Sequence, residues 1–124
     1  MAARLDETAK GVFIIAATPF TDSGEVDYDS VDSLTDFYIG CGVHGFTLLG
    51  MMGEAHKLTP DESLAVVKRV IARAGGRKVV VGVSHAAIDP LRRLSHAYRI
   101  ALHLLPLRQA VHRGGRLRQL LMVL

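Results

Sequence analysis

The residues equipped for chemistry are concentrated in one stretch, Gly45-Phe46-Thr47-Leu48-Leu49-Gly50-Met51-Met52-Gly53-Glu54. An apolar strand there runs straight into a Gly-x-x-Gly-Glu turn. Two glycines in a turn let bare backbone N–H groups approach an anion closely, so the turn is a candidate carboxylate cradle. In parallel α/β proteins ligands bind at the carboxyl ends of the strands, where such a turn would lie. Taken alone, the same residues also fit a tight strand-to-loop connection whose methionines fill core gaps. Glu54 likewise has two readings, a catalytic base or an acceptor for nearby backbone donors, and the second is preferred.

The elements that must position this turn are legible on both sides of it. Apolar runs at 12–17, 45–49 and 79–83 are continuous rather than alternating, which predicts strands buried on both faces. Between the first two lies a helix signal. Asp27 or Asp29 can cap it, Val31, Leu34, Tyr38 and Cys41 share a stripe, and Gly40 and Gly42 stop it. Between the second and third, Thr59-Pro60-Asp61-Glu62 is a capping box with proline at the first helical position. Leu64, Val67, Val70, Ile71 and Ala74 form that helix's apolar face, and Gly75-Gly76 end it. The order β-α-β-α-β matches the spacing of right-handed parallel crossovers. A third helix is expected from Asp89-Pro90, with Leu91, Leu94 and Tyr98 at helical spacing. Beyond residue 98 no strand signal follows: Pro106 and Gly114-Gly115 interrupt a Leu, Arg and His mixture with a single pair of valines, Val111 and Val123.

Composition narrows the function classes. The chain has 124 residues, 49% hydrophobic and 22% charged, enough for one domain with a true core. Residues 1–84 hold 8 basic and 11 acidic side chains, whereas 85–124 hold 7 arginines against the single Asp89. The basic character therefore belongs to the last third alone. Cys41 is the only cysteine, which excludes a disulfide framework, and between two glycines it reads as a small buried residue rather than a nucleophile. No leader-like apolar run opens the chain and none is long enough to span a bilayer, so the reading is a cytoplasmic protein without a membrane partner. Six histidines raise a metal site, but His96 and His103, if helical, stand ~10.5 Å apart along the axis. That is too far for one zinc, with bonds to nitrogen of about 2 Å, and no pair has the preferred spacing; neither metal nor cofactor is expected.

Four features resemble, in order and spacing, the dihydrodipicolinate synthase and N-acetylneuraminate lyase family of pyruvate-handling aldolases. They are Thr18-Pro19-Phe20, Gly24-Glu25-Val26-Asp27, Gly50 to Glu54, and Leu58-Thr59-Pro60-Asp61-Glu62, with Gly82-Val83 also family-like. The resemblance covers residues 11–97 and implies an α/β fold, the first three βα units of a TIM (β/α)8 barrel. It also implies a lyase that joins or cleaves α-keto acids through a Schiff base between pyruvate and a lysine. Carried across, Thr18, Gly50, Met51, Met52 and Gly53 become the substrate-binding residues, with the backbone N–H groups of Met51, Met52 and Gly53 as carboxylate donors. Many members have hydroxyl residues at the two middle positions, the first in a proton relay. Thioethers lack a donor and cannot serve there, which points to a different substrate or proton path.

The family's Schiff-base lysine lies on the sixth strand and its catalytic tyrosine follows the fourth, beyond the resembling region. Lys10, Lys57, Lys68 and Lys78 are all expected at the surface and protonated, whereas the chemistry needs a neutral amine. No catalytic residue is therefore assigned, and the chain is expected to be an inactive fragment of such a lyase that self-associates through an unpaired sheet edge. Residues 98–124 are read as a basic tail, disordered or helical, with a shifted reading frame as the first explanation. A nucleic-acid arm using Arg108, Arg113, Arg116 and Arg118 ranks well behind, because Tyr98 is the only aromatic after Phe46. A half-barrel subunit completed by a partner chain is the remaining alternative.

Overall fold

In the computed structural model residues 8–84, Arg93, His96, 110–111 and 119–123 are described. Strands β1 (Phe13–Ile15), β2 (Gly45–Leu48) and β3 (Lys78–Ser84) alternate with helices α1 (Tyr28–Gly40) and α2 (Pro60–Arg73), and a 3-10 turn at Ala55–Lys57 leads into α2. The three strands are parallel, with Ile14 beside Phe46 and Phe46 beside Val79. Their carboxyl ends therefore share one rim. The expected third helix falls outside the described residues apart from Arg93 and His96, which are helical.

Local chemistry sets the helix bounds. Asp27 caps α1 by accepting from Ser30 N–H at 3.0 Å, and Gly42, at φ +80°, turns the chain away at its end. The capping box on α2 is complete: Thr59 Oγ1 accepts from Glu62 N–H at 3.2 Å and Glu62 Oε2 accepts from Thr59 N–H at 2.8 Å. Gly75 and Gly76, both at positive φ, close α2.

The core lies between the sheet and the helices. Phe46, Val67, Val79 and Val81 are fully buried, with Ile14, Ala16, Leu48 and Val83 on the same sheet face. The strands are not buried on both faces as expected. On the opposite face Phe13, Thr47 and Val80 are half-buried and Ile15 remains 47% exposed. The continuous apolar runs thus supply one packed face and one open one. The α2 face is rotated slightly from expectation: Ser63, Val66, Val67 and Val70 are buried, while Leu64 and Ile71 pack at the margin. Cys41 is exposed, contrary to expectation, because it is the C-cap of α1 and lies past the stripe that Val31 and Thr35 bury.

Opposite charges join the helices where α1 meets α2. Arg69 makes a two-pronged pair with Asp32 at 2.8 and 3.0 Å, and Arg73 does the same with Asp36 at 3.1 and 2.5 Å. Asp29 lies 3.6 Å from Arg69, whose guanidinium also covers the Tyr28 ring.

Residues 110–111 and 119–123 differ from the reading of the tail as disordered or helical. They form β4 (Ala110–Val111) and β5 (Gln119–Val123), giving the sheet order β1-β2-β3-β5-β4. β5 runs antiparallel to β3, with Val80 beside Val123. The outer edge of β3 presents unpaired backbone groups, and a short apolar run can satisfy them in either direction. Among the described residues no helix is long and apolar enough to cross a membrane.

Hydrogen bonds from Arg69 and Arg73 hold the Asp32 and Asp36 carboxyls below the ordinary carboxylate range, against the opposing effect of burial. Because the folded pKa values are depressed, the stabilisation is full above the ordinary value of 3.8 and is lost as pH falls through the lowered ones. Asp32→Asn/Asp36→Asn should flatten the acid limb of a urea-stability profile below about pH 4, with the neutral limb lowered.

Candidate functional site

The Gly-x-x-Gly-Glu turn follows β2 at the carboxyl rim, and three backbone constraints shape it. Leu49 takes the left-handed region at φ +55°, a conformation costly for a leucine and sustained by its burial. Its carbonyl lies against β3, where a Cβ on residue 82 would come within 2.6 Å of Leu49 O; only glycine fits there. The chain then folds back so that a Cβ on Gly53 would stand 3.0 Å from Leu49 N. Gly50 is different. A Cβ there would meet only Ile15 Cγ2 at 3.7 Å, an ordinary contact, so the turn's two glycines are not equivalent.

A hydrogen bond from the first βα loop locks the turn. Thr18 Oγ1 donates to Gly53 O at 2.8 Å, joining residues 35 apart in sequence, and Thr18 is itself buried. Thr18 is held in turn by the way its own loop closes. Phe20 bridges Val26, Thr21 N–H donates to Glu25 O at 2.8 Å, and Asp27 N–H donates to Pro19 O at 3.0 Å. The motifs at 18–20 and 24–27 are thus two sides of one loop whose product is the position of one hydroxyl.

Within the turn, Glu54 N–H donates to Met51 O at 3.1 Å and Lys57 N–H to Glu54 O at 2.8 Å. No described group accepts from the N–H of Met51, Met52 or Gly53. Successive backbone donors that lack an acceptor among the described groups are of the kind that can serve an anion. The methionine side chains do not fill the core: Met51 is 85% and Met52 59% exposed. The turn's backbone is tied down by Thr18 while both methionine side chains stand in solvent.

Glu54 has a role that the sequence reading missed. Its carboxylate pairs with the Lys57 ammonium rather than with backbone donors. The hydrogen bond from Lys57, reinforced by the charges of Lys57 and His56, holds it below the usual carboxylate range despite burial. An ionised, paired carboxylate is a poor base. The i, i+3 spacing of Glu54 and Lys57 was the available signal.

The four lysines of the chain stand apart from a reactive position. Lys10 and Lys68 are exposed, and Lys57 is paired with Glu54. Lys78 opens β3 at the opposite end of the sheet. That end carries an open cleft lined by Lys10, His44, Arg77 and Lys78. There Arg77 donates to Val43 O at 3.0 Å and to Ala74 O at 3.2 Å, so its guanidinium ties the loop before β2 to the end of α2. Among the described residues no three His, Cys, Asp or Glu side chains cluster to hold a metal.

Known proteins share this sequence and fold over part of their length. The sequence profile of the Dihydrodipicolinate synthetase family matches residues 8–89. A 4-hydroxy-tetrahydrodipicolinate synthase of Laribacter hongkongensis is 39% identical over 87 residues, 66% of this chain and 30% of that protein. One from Pseudoalteromonas atlantica is 40% identical over 61% of this chain and 26% of its own length. The crystal structure of dihydrodipicolinate synthase from Rhodopseudomonas palustris superposes with a TM-score of 0.73 at 45% identity, covering 81% of this chain and 33% of that one. N-acetylneuraminate lyase from Mycoplasma synoviae gives 0.67 at 26% identity, covering 77% and 33%. The chain therefore spans about 30% of the length of the curated relatives it matches.

Replacing Thr18 by valine removes the donor to a buried carbonyl and should lower stability in urea by about 1–2 kcal/mol. Thr18→Ser, which keeps the hydroxyl, should lose less. A larger loss in Thr18→Ser than in Thr18→Val would show that the methyl group rather than the hydrogen bond holds the turn.

Proposed function

Because the chain belongs to the Dihydrodipicolinate synthetase family, we propose that residues 8–89 are the carboxylate-binding part of a Schiff-base lyase acting on pyruvate or a related α-keto acid. The observation that carries this reading is the run of N–H groups on Met51, Met52 and Gly53, left without acceptors in a turn tied down by Thr18. A carboxylate seated there accepts from backbone donors already in place, so little ordering cost attends binding. Thr18, Gly50, Met51, Met52 and Gly53 are the proposed substrate-binding residues, with Gly53 and Thr18 fixing the backbone that Met51 and Met52 present.

The keto-acid carbonyl needs an amine, and none of the chain's lysines is placed to supply it. The proposed division of labour is that these units bind and orient the carboxylate, and further βα units of a closed barrel bring the nucleophile and proton relay. Met51 and Met52 contribute no relay hydroxyl. The 124-residue chain alone is then a binder without turnover. The open outer edge of β1 and the exposed Ile15 favour self-association or completion by a second chain.

Titration of the 15N-labelled chain with pyruvate should shift the amide resonances of Met51, Met52 and Gly53, while pyruvamide, which lacks the carboxylate, leaves them in place. Borohydride added with pyruvate should give no pyruvyl adduct by intact mass. Equal responses to pyruvate and pyruvamide would remove the cradle. A stoichiometric adduct would remove the division of labour, and mapping it to Lys57 would make that residue the nucleophile.

A further inference from the structure

We infer that the α-keto acid seated on this turn carries an uncharged, apolar substituent beyond its carboxylate and carbonyl; this rests on the carboxylate-cradle reading and adds the substrate class. The first ground is the surface around the donors. Met51 and Met52 are among the largest exposed apolar side chains of the described residues, and both flank the free N–H groups. Ile15, 47% exposed, adjoins the same turn, its Cγ2 lying 3.7 Å from where a Gly50 Cβ would stand. Three apolar side chains at one rim, beside a polar anchor, are the usual composition of a small-molecule site: a few fixed polar groups give orientation and the remainder of the contact is apolar. Thioethers are polarizable and adapt to irregular aliphatic or aromatic shapes.

The second ground is charge. A substrate with a second carboxylate gains from a second cation, and among the described residues the one lysine of this rim is engaged elsewhere. That lysine, Lys57, is already paired with Glu54. Asp22 and Glu25 lie in the loop that follows β1 at the same end of the sheet, so the described acidic groups outnumber the lysine. Like charges disfavour a dianion, whereas a monoanion loses nothing once its carboxylate is held by backbone donors.

The test compares two keto acids of similar size, 4-methyl-2-oxopentanoate and 2-oxoglutarate, using the full chain labelled with 15N and with 13C at the methionine methyl groups. Both should move the Met52 and Gly53 amides. The apolar keto acid should bind at least about fivefold more tightly, as expected for partial burial of a few methyl groups, and should shift the Met51 and Met52 methyl carbons. In Met51→Thr/Met52→Thr the preference between the two should fall to near unity. Equal affinities in the native chain, or a preference that survives the double substitution, would overturn the inference. Pyruvate serves as the reference: if it shifts the amides without discrimination among the larger acids, only the substrate class falls. If pyruvate shifts nothing, the cradle falls and this inference falls with it.

Discussion

One hydrogen bond, from Thr18 Oγ1 to Gly53 O at 2.8 Å, links the two loops on which the site depends. Without it the turn after β2 would be a surface connection held only by its own short-range bonds. With it, the first loop fixes the second, and the backbone of residues 51–53 is tied to the loop after β1. The bond requires parallel strands in fixed register, since both loops must leave the sheet at the same end. It also requires Gly82, because any side chain there would displace the Leu49 carbonyl from which the turn starts. Scaffold and site thus share their constraints.

The charged pairs between α1 and α2 serve the same end from below. Burial of Phe46, Leu48 and the β3 valines sets the distance between helices and sheet, but apolar packing is not directional. The two arginine–aspartate forks supply direction, matching α2 to α1 at two points along their lengths. The 3-10 turn between β2 and α2 is held at one end by Glu54 and Lys57 and at the other by the Thr59–Glu62 box. The segment that follows the turn is therefore held at both ends, and Thr18 holds the turn itself, as the proposed anion site requires.

Much of this was legible in the sequence because it is written in local chemistry. The capping box, the Asp27 cap and the glycine stops each depend on a few adjacent residues, and the helices begin and end where these stand. The candidate turn was legible through its glycines and its place after an apolar strand. What was not legible depends on distant residues. The apolar runs suggested strands buried on both sides, yet burial of the second face depends on what lies opposite it, and Ile15 stays 47% exposed there. Cys41 was misplaced by extending a helical stripe one step past the helix end. The pairing of residues 119–123 with β3 depends on an edge that no local pattern announces. The inequality of Gly50 and Gly53 came only from what surrounds them in space.

Backbone donors at residues 51–53 are proposed to hold a keto-acid carboxylate. A crystal structure of the chain grown with pyruvate tests this most directly. The expected result is a carboxylate oxygen at about 2.8–3.0 Å from the backbone nitrogens of this turn, with the Thr18–Gly53 bond intact. A pyruvate carboxylate bound by side chains elsewhere, with these N–H groups turned onto protein carbonyls, would contradict it.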